Sequence, residues 1–209
     1  MKKLQVNIPR KTIYRMSLYL RCLHRLKTNG IQTVSSDALA LAAGVKSTQL
    51  RKDLTYFGQF GTRGLGYDVE QLIEMIADTL GTNSLQPVIL IGVGNLGTAL
   101  LSYDGFQREG FEIIAAFDKE PKKHRERIVR HPLLGMDQLD SFVKTKHVKM
   151  AILAVPSASA QEVANLLVAS GVTGILNFAP QVLHVPEDII VNNVNLAIEL
   201  ENLSYFVQH

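Results

Sequence analysis

Gly92, Gly94 and Gly97 stand in the stretch IGVGNLG (91–97), behind the apolar run PVIL and ahead of TALLSY. An acid, Asp118, closes the run AAFD, 21 residues beyond Gly97. Glycines at this spacing, between a strand and a helix, let backbone N–H groups come up to a pyrophosphate. An acid at the end of the following strand accepts hydrogen bonds from ribose hydroxyls. Gly92 is expected to make the turn, Gly94 to let the backbone approach the phosphates, and Gly97 to let helix meet strand. The helix N-terminus, with Asn95 and Leu96, then faces the phosphates with its partial positive charge. A carboxylate at 118 repels a 2′-phosphate and so favours NADH and NAD+ over the phosphorylated pair, while Lys119, Lys122 and Lys123 pull the other way. The plain alternative is a glycine turn with no ligand.

The elements that must position these residues follow from the pattern. PVILI, FEIIAAF, KMAILAV, TGILNF and DIIV are short, β-branched-rich runs. They alternate with helical patterns, clearest in SASAQEVANLLVASG. That alternation predicts βαβ units and a doubly wound parallel sheet, an α/β fold of Rossmann type. Ahead of it, YDVEQLIEMIADTLG reads as an amphipathic helix and GTNSLQ as a linker.

The first third has a different character. Residues 1–66 hold twelve Lys/Arg against Asp37 and Asp53 alone, whereas residues 67–209 hold ten against seventeen Asp/Glu. A basic part on an acidic remainder points to a polyanionic partner, with a solvated basic face as the alternative. From Pro9 to about Thr28, Ile13, Met16, Leu20, Leu23 and Leu26 recur at three- and four-residue steps, a helix that stops near Asn29-Gly30. In SSDALALAAGVKSTQLRKDLTYFG, Ser35 or Ser36 can cap a short helix ending at Gly44, and Ser47 a second one after a tight turn. Helix, glycine turn, helix is the helix-turn-helix layout. Leu50, Leu54 and Phe57 share one face and should be core. Thr48, Gln49, Lys52, Thr55 and Tyr56, with Arg51 at the border, should face outward and donate to phosphates and base edges. Glycines 58, 61, 64 and 66 in FGQFGTRGLGY permit a hairpin wing with Arg63 near its tip, suited to a narrow minor groove. An ordinary surface loop is the alternative.

Other chemistry finds little support. None of the six tyrosines has a lysine four residues on, and the six histidines show no metal-ligand spacing. The one cysteine, Cys22, excludes an internal disulfide framework, fits a small buried apolar residue, and predicts a reducing, cytoplasmic setting. No apolar run approaches the roughly 20 residues of a membrane span, and MKKLQVNIPR has no apolar signal region. KKHRERIVR (122–130) reads as a solvated run, with a second nucleic-acid patch as the alternative. About 120 residues remain for a nucleotide domain, which leaves no substrate domain and predicts binding without turnover.

The blocks RKDLTYFGQFGTRGLGY, IGVGNLGTAL, AAFDKEP, AVPSASAQEVAN, GILNFAP and ELENLSY resemble the Rex family of bacterial redox-sensing transcriptional repressors, in family order and across nearly the whole chain. The resemblance implies a winged-helix DNA-binding domain over 1–83, a Rossmann domain over 84–193 and, over 194–209, a C-terminal helix swapped into the partner of a homodimer. Members bind palindromic operator DNA when NADH is scarce and leave it when NADH accumulates. They thereby control fermentation, anaerobic respiration and NADH reoxidation; neither a metal nor a membrane is involved.

Carried over by motif, Gln49, Arg51, Lys52, Thr55, Tyr56 and Arg63 meet DNA. Gly92, Val93, Gly94, Asn95, Leu96, Gly97, Asp118 and Lys119 hold the cofactor. Tyr103 lies near it and reports its redox state, and Val155, Pro156, Asn177, Phe178 and Ala179 sit at the nicotinamide half. Oxidised nicotinamide is charged and the reduced ring is neutral, so an apolar lining of Phe178, Ala179, Pro180 and the partner's Phe206 would prefer NADH. Family members commonly read NVDL before the last helix, and in one state that aspartate pairs with an arginine of the partner's first helix. Here Arg15 matches the arginine, but NVNL puts Asn195 in the acid's place, which removes one charge from the bond. Two other functions remain to be separated from repression: a small NAD-dependent oxidoreductase with a basic extension, and a structural or activating DNA-binding protein with a vestigial nucleotide site.

Overall fold

The computed structural model describes residues 8–58, 61, 66–123 and 131–208, arranged in two compact units, Met1–Ser84 and Leu85–His209.

In the first unit, helix α1 (Arg10–Thr28) buries Thr12, Met16, Tyr19, Leu20, Cys22 and Leu23. The spacing is that of one helical stripe, widened by a threonine and a tyrosine that hydropathy does not mark. Strand β1 (Thr33–Val34) leads into α2 (Ser36–Ala42), whose N-cap Ser35 accepts a hydrogen bond from the Ala38 N–H. After Gly44, in the left-handed region at φ +67°, comes α3 (Ser47–Thr55). Its N-cap is Lys46, with no side-chain bond. Ser47 was expected to be the cap, but the helix starts at that residue and its hydroxyl accepts from Arg51 instead. Leu39, Leu50 and Leu54 join the α1 stripe in one core with Val69, Leu72, Ile73 and Ile76 of α4 (Val69–Leu80). The expected start of α4 at Tyr67 is two residues early. Tyr67 and Asp68 form β2, antiparallel to β1, and Asp68 then caps α4 by accepting from the Gln71 N–H. Arg63 and most of the expected wing lie outside the described residues.

In the second unit the six strands β3 (Gln86–Ile91), β4 (Phe111–Asp118), β5 (Leu133–Gly135), β6 (Met150–Leu153), β7 (Gly174–Asn177) and β8 (Ile190–Asn193) form a single sheet. Its order is β5-β4-β3-β6-β7-β8, every neighbouring pair parallel. Numbered from β3, that is the 3-2-1-4-5-6 order of the doubly wound fold, with the direction of winding reversing between β3 and β6. Helices α5 (Asn95–Leu101), α6 (Gly105–Arg108), α7 (Leu139–Lys146) and α8 (Ser157–Ser170) connect the strands. Buried side chains form a core on each face of the sheet. One holds Ile89, Ile91, Phe117, Leu153 and Leu167; the other holds Val88, Leu90, Leu101, Ile113 and Ile152. Consecutive residues of β3 thus alternate between the two, as period-two side chains must. Strand β5 was not expected: it is three residues long and pairs only with the end of β4.

The last helix, α9 (Leu196–Gln208), buries none of its residues. Leu196, Ile198, Leu200, Leu203, Tyr205, Phe206 and Val207 are all exposed. Among the described residues, no helix is long and apolar enough to cross a membrane.

Candidate functional site

The glycine turn lies where the sheet reverses its winding, at the carboxyl ends of β3 and β6, the place where open α/β sheets bind ligands. Ile91 of β3 pairs with Leu153 of β6, and the Ala154 N–H donates to the Ile91 carbonyl at 2.8 Å. The three glycines differ in what holds them. Gly92 has φ +94°, and a β-carbon there would stand 2.6 Å from the Ala154 carbonyl oxygen and 2.8 Å from the Val155 side chain. Gly97 has an ordinary backbone, yet a β-carbon on it would collide with the Gly92 carbonyl, because the first turn of α5 sits directly on the glycine turn. Gly94 answers to neither reason. It has φ −71°, and beyond its immediate chain neighbours nothing lies within 4 Å of where its β-carbon would be. The space over Gly94 is open, as a backbone reached by a pyrophosphate requires.

Asp118 ends β4 half-buried beside this turn. Its two carboxylate oxygens each accept one backbone N–H, from Val93 at 2.9 Å and from Glu120 at 2.8 Å. The side chain is thereby fixed, and each oxygen retains acceptor capacity for a hydroxyl. Val93 is fully buried, while Asn95, Leu96 and Lys119 are exposed. Tyr103, two residues past α5, is exposed and packs edge-on against Phe106 with ring centroids 5.2 Å apart. Its ring lies over Gly105, where a β-carbon would strike it.

The expected nicotinamide-side residues follow β6 and β7. Val155 is half-buried against Gly92, and Pro156 precedes α8. Asn177 is fully buried, and its side chain is spent inside the protein. Its Nδ2 donates to the Gln181 carbonyl at 2.9 Å and to Asn193 Oδ1 at 2.8 Å, and its Oδ1 accepts from the Ala179 N–H at 3.0 Å. It therefore shapes the segment containing half-buried Phe178 and buried Ala179, and ties that segment to β8. Asn195, beyond β8, accepts from the N–H groups of Ala197 and Ile198 at the start of α9. Asparagine and aspartate serve equally well in such a cap, so the exchange of acid for amide keeps this local role. Phe206 of α9 is 77% exposed.

In the first unit, α3 turns an outward row to solvent: Thr48, Arg51, Lys52 and Thr55 are exposed. Arg51 is tethered through Nη1 to Ser36 Oγ at 2.7 Å, which joins α3 to the start of α2. Tyr56 is half-buried beside Phe57. Gln49 and Arg15 go elsewhere. Both hold Asp53, whose side chain is fully buried: Arg15 Nε and Nη2 donate at 2.6 and 2.7 Å, Tyr19 Oη at 2.8 Å, Gln49 Nε2 at 2.9 Å and Thr12 Oγ1 at 3.2 Å. Burial alone would push the Asp53 carboxyl up, but the bonds from Arg15, Tyr19 and Gln49 outweigh it and hold the group below its ordinary value. The Arg15 guanidinium is raised chiefly by its bond to Asp53, and the Tyr19 phenol is pushed well up by burial and by the same carboxylate. The sequence gives no sign of this cluster beyond the rarity of acids in the basic third. Among the described residues, no group of three metal-ligating side chains occurs.

Comparison with known proteins locates the chain. A family model described as a putative DNA-binding protein N-terminus matches residues 7–55, and one described as a CoA binding domain matches residues 83–181. The redox-sensing transcriptional repressor Rex of Carboxydothermus hydrogenoformans is 46% identical over 201 residues, 96% of this chain and 97% of that protein. The chain belongs to the Rex family of redox-sensing transcriptional repressors. The Rex protein of Streptococcus pneumoniae strain Hungary19A-6 is 44% identical over all of this chain and 99% of its own. Among solved structures, a complex of RSP with β-NAD+ and operator DNA matches at TM-score 0.90 and 34% identity, covering 97% of this chain and 94% of that one. RSP with β-NADH matches at TM-score 0.85 and 32% identity, over 97% and 95%. Rex proteins are named as regulators rather than enzymes, so the oxidoreductase alternative is not favoured.

Three outcomes follow from this geometry. Gly97→Ala should destabilise the second unit by about 2 kcal/mol or more in urea denaturation, since overpacked backbone must shift. Gly94→Ala, at an ordinary φ with open space, should stay within about 0.5 kcal/mol of the parent. For Asp53, the lowered carboxyl contributes stability in full above the ordinary value of 3.8. That contribution is lost as pH falls below it through the folded value. Urea titrations between pH 7 and pH 2 should therefore show an acid loss that Asp53→Asn flattens.

Proposed function

We propose that this chain is an NADH-responsive transcriptional repressor. As a homodimer it grips palindromic operator DNA with α3, together with Arg63, and it lets go when NADH occupies the turn at Gly92–Gly97. The observation that carries the reading is the open space at Gly94. The other two glycines are demanded by the fold; this one leaves room for the pyrophosphate of a dinucleotide to reach the backbone. Asp118, anchored but with acceptor capacity left, suits the adenosine ribose and opposes a 2′-phosphate. Lys119, Tyr103, Val155, Pro156, Phe178 and Ala179 complete the cofactor side, with Asn177 shaping the segment that holds the last two.

The exposed apolar residues of α9 support dimerisation through that helix, because so many on one element call for a cover. Residues 194–209 would be the exchanged arm, bringing Phe206 to the partner's nicotinamide side. A neutral reduced ring is cheaper to bury there than the charged oxidised one. A latch between Arg15 and the partner's Asn195 would have to exchange with the bonds each makes in its own subunit, Arg15 to Asp53 and Asn195 to the start of α9. The site of action is the cytoplasm, where the DNA and the nucleotide pool meet. Moving such a dimer from about 1% to about 99% released takes roughly 5.5 kcal/mol of differential binding, about half from each of two identical sites. Two recognition helices grip half-sites one DNA turn apart only at one spacing, so a ligand-driven change of that spacing is enough for release.

A mobility-shift series with a palindromic duplex and graded NADH, NAD+ and NADPH tests the reading. Release should require far less NADH than either of the others, and Asp118→Ala should narrow the gap between NADH and NADPH. Turnover of NADH with carbonyl substrates, or a shift indifferent to every nucleotide, would overturn it.

A further inference from the structure

Asp53 is one of only two acids in the basic residues 1–66, and it is the one placed fully inside. A buried carboxylate is costly unless every acceptor position is answered, and five hydrogen bonds answer this one. Three of its partners, Thr12, Arg15 and Tyr19, lie at i, i+3 and i+7 on α1; the fourth, Gln49, lies one turn before it on α3. On a helix of 3.6 residues per turn, Gln49 and Asp53 share a face, while Thr48, Arg51 and Thr55 at i, i+3 and i+7 share the opposite one. Apolar contacts through Leu50 and Leu54 hold α3 in the core, but such attraction is non-directional. A two-pronged arginine–carboxylate bond fixes both distance and angle.

We propose that Asp53 is the positioning residue of DNA recognition: its clamp on α1 sets the rotation of α3 that aims Thr48, Arg51, Lys52 and Thr55, and Gln49 serves this clamp rather than reading a base. This rests on the reading of α3 as the recognition helix.

The test uses the full-length protein and a palindromic duplex selected with it from a random pool, with every base pair then substituted singly. Binding is measured by fluorescence anisotropy at low temperature, counting folded protein only. Gln49→Ala should weaken binding about three- to tenfold, by the same factor for every duplex, so that the preference at each base pair is unchanged. Asp53→Asn should weaken it about tenfold or more, while NADH binding by the second unit stays as in the parent. Tyr19→Phe removes one donor and keeps the buried ring; it should weaken binding evenly as well, and it serves where Asp53→Asn fails to fold. Loss of preference at one base pair in Gln49→Ala shows that Gln49 reads that base and overturns the proposal. So does parental affinity in folded Asp53→Asn, or in Tyr19→Phe where that variant stands in. If the parent protein selects no duplex at all, it is the reading of α3 itself that fails.

Discussion

The close seating of a helix on a strand end governs the nucleotide half. Helix α5 begins four residues after β3 ends, and its first turn rests on the Gly92 carbonyl at a distance that no β-carbon on Gly97 would permit. The same turn passes close to the Ala154 carbonyl beyond β6, and Gly92 stands there at φ +94°. These two constraints place a stretch of bare backbone at the sheet's winding reversal and leave the space above Gly94 free. Asp118 is brought to the same spot by the parallel pairing of β4 with β3, and the Val93 N–H fixes its direction.

The two acids at 53 and 118 show how burial sets use. Both accept backbone or side-chain donors, but Asp53 is surrounded on every side and has none of its capacity left for an outside partner. Asp118 is half-buried, takes one amide on each oxygen, and stays available. The first links two helices; the second is positioned to meet a ligand. Asn177 and Asn195 repeat the contrast among amides: one is wholly internal, and the other caps a helix whose apolar residues face outward.

Much of this was legible in the sequence because its signals are local. The spacing of Gly92, Gly94, Gly97 and Asp118, the alternation of β-branched runs with helical ones, and the stripe on α1 each need only a few neighbouring residues to be read. Strand β5 was not legible, since three residues paired at a sheet edge carry no period. Nor was the Asp53 cluster, whose α1 partners are 34 to 41 residues away in the chain. Gln49 reads as outward because glutamine is polar; only its buried partner four residues on turns it inward. Asn177, expected against the cofactor, proves to be occupied by Ala179, Gln181 and Asn193, a set of bonds that residue type cannot reveal.

On the proposed reading, occupation of the glycine turn and grip on DNA oppose each other, and linkage makes that reciprocal. The most direct measurement is a titration of NADH into the protein alone and into the protein saturated with its duplex. Duplex should raise the NADH dissociation constant by the same factor by which saturating NADH raises that of the duplex. Equal NADH affinity in the two titrations would contradict it.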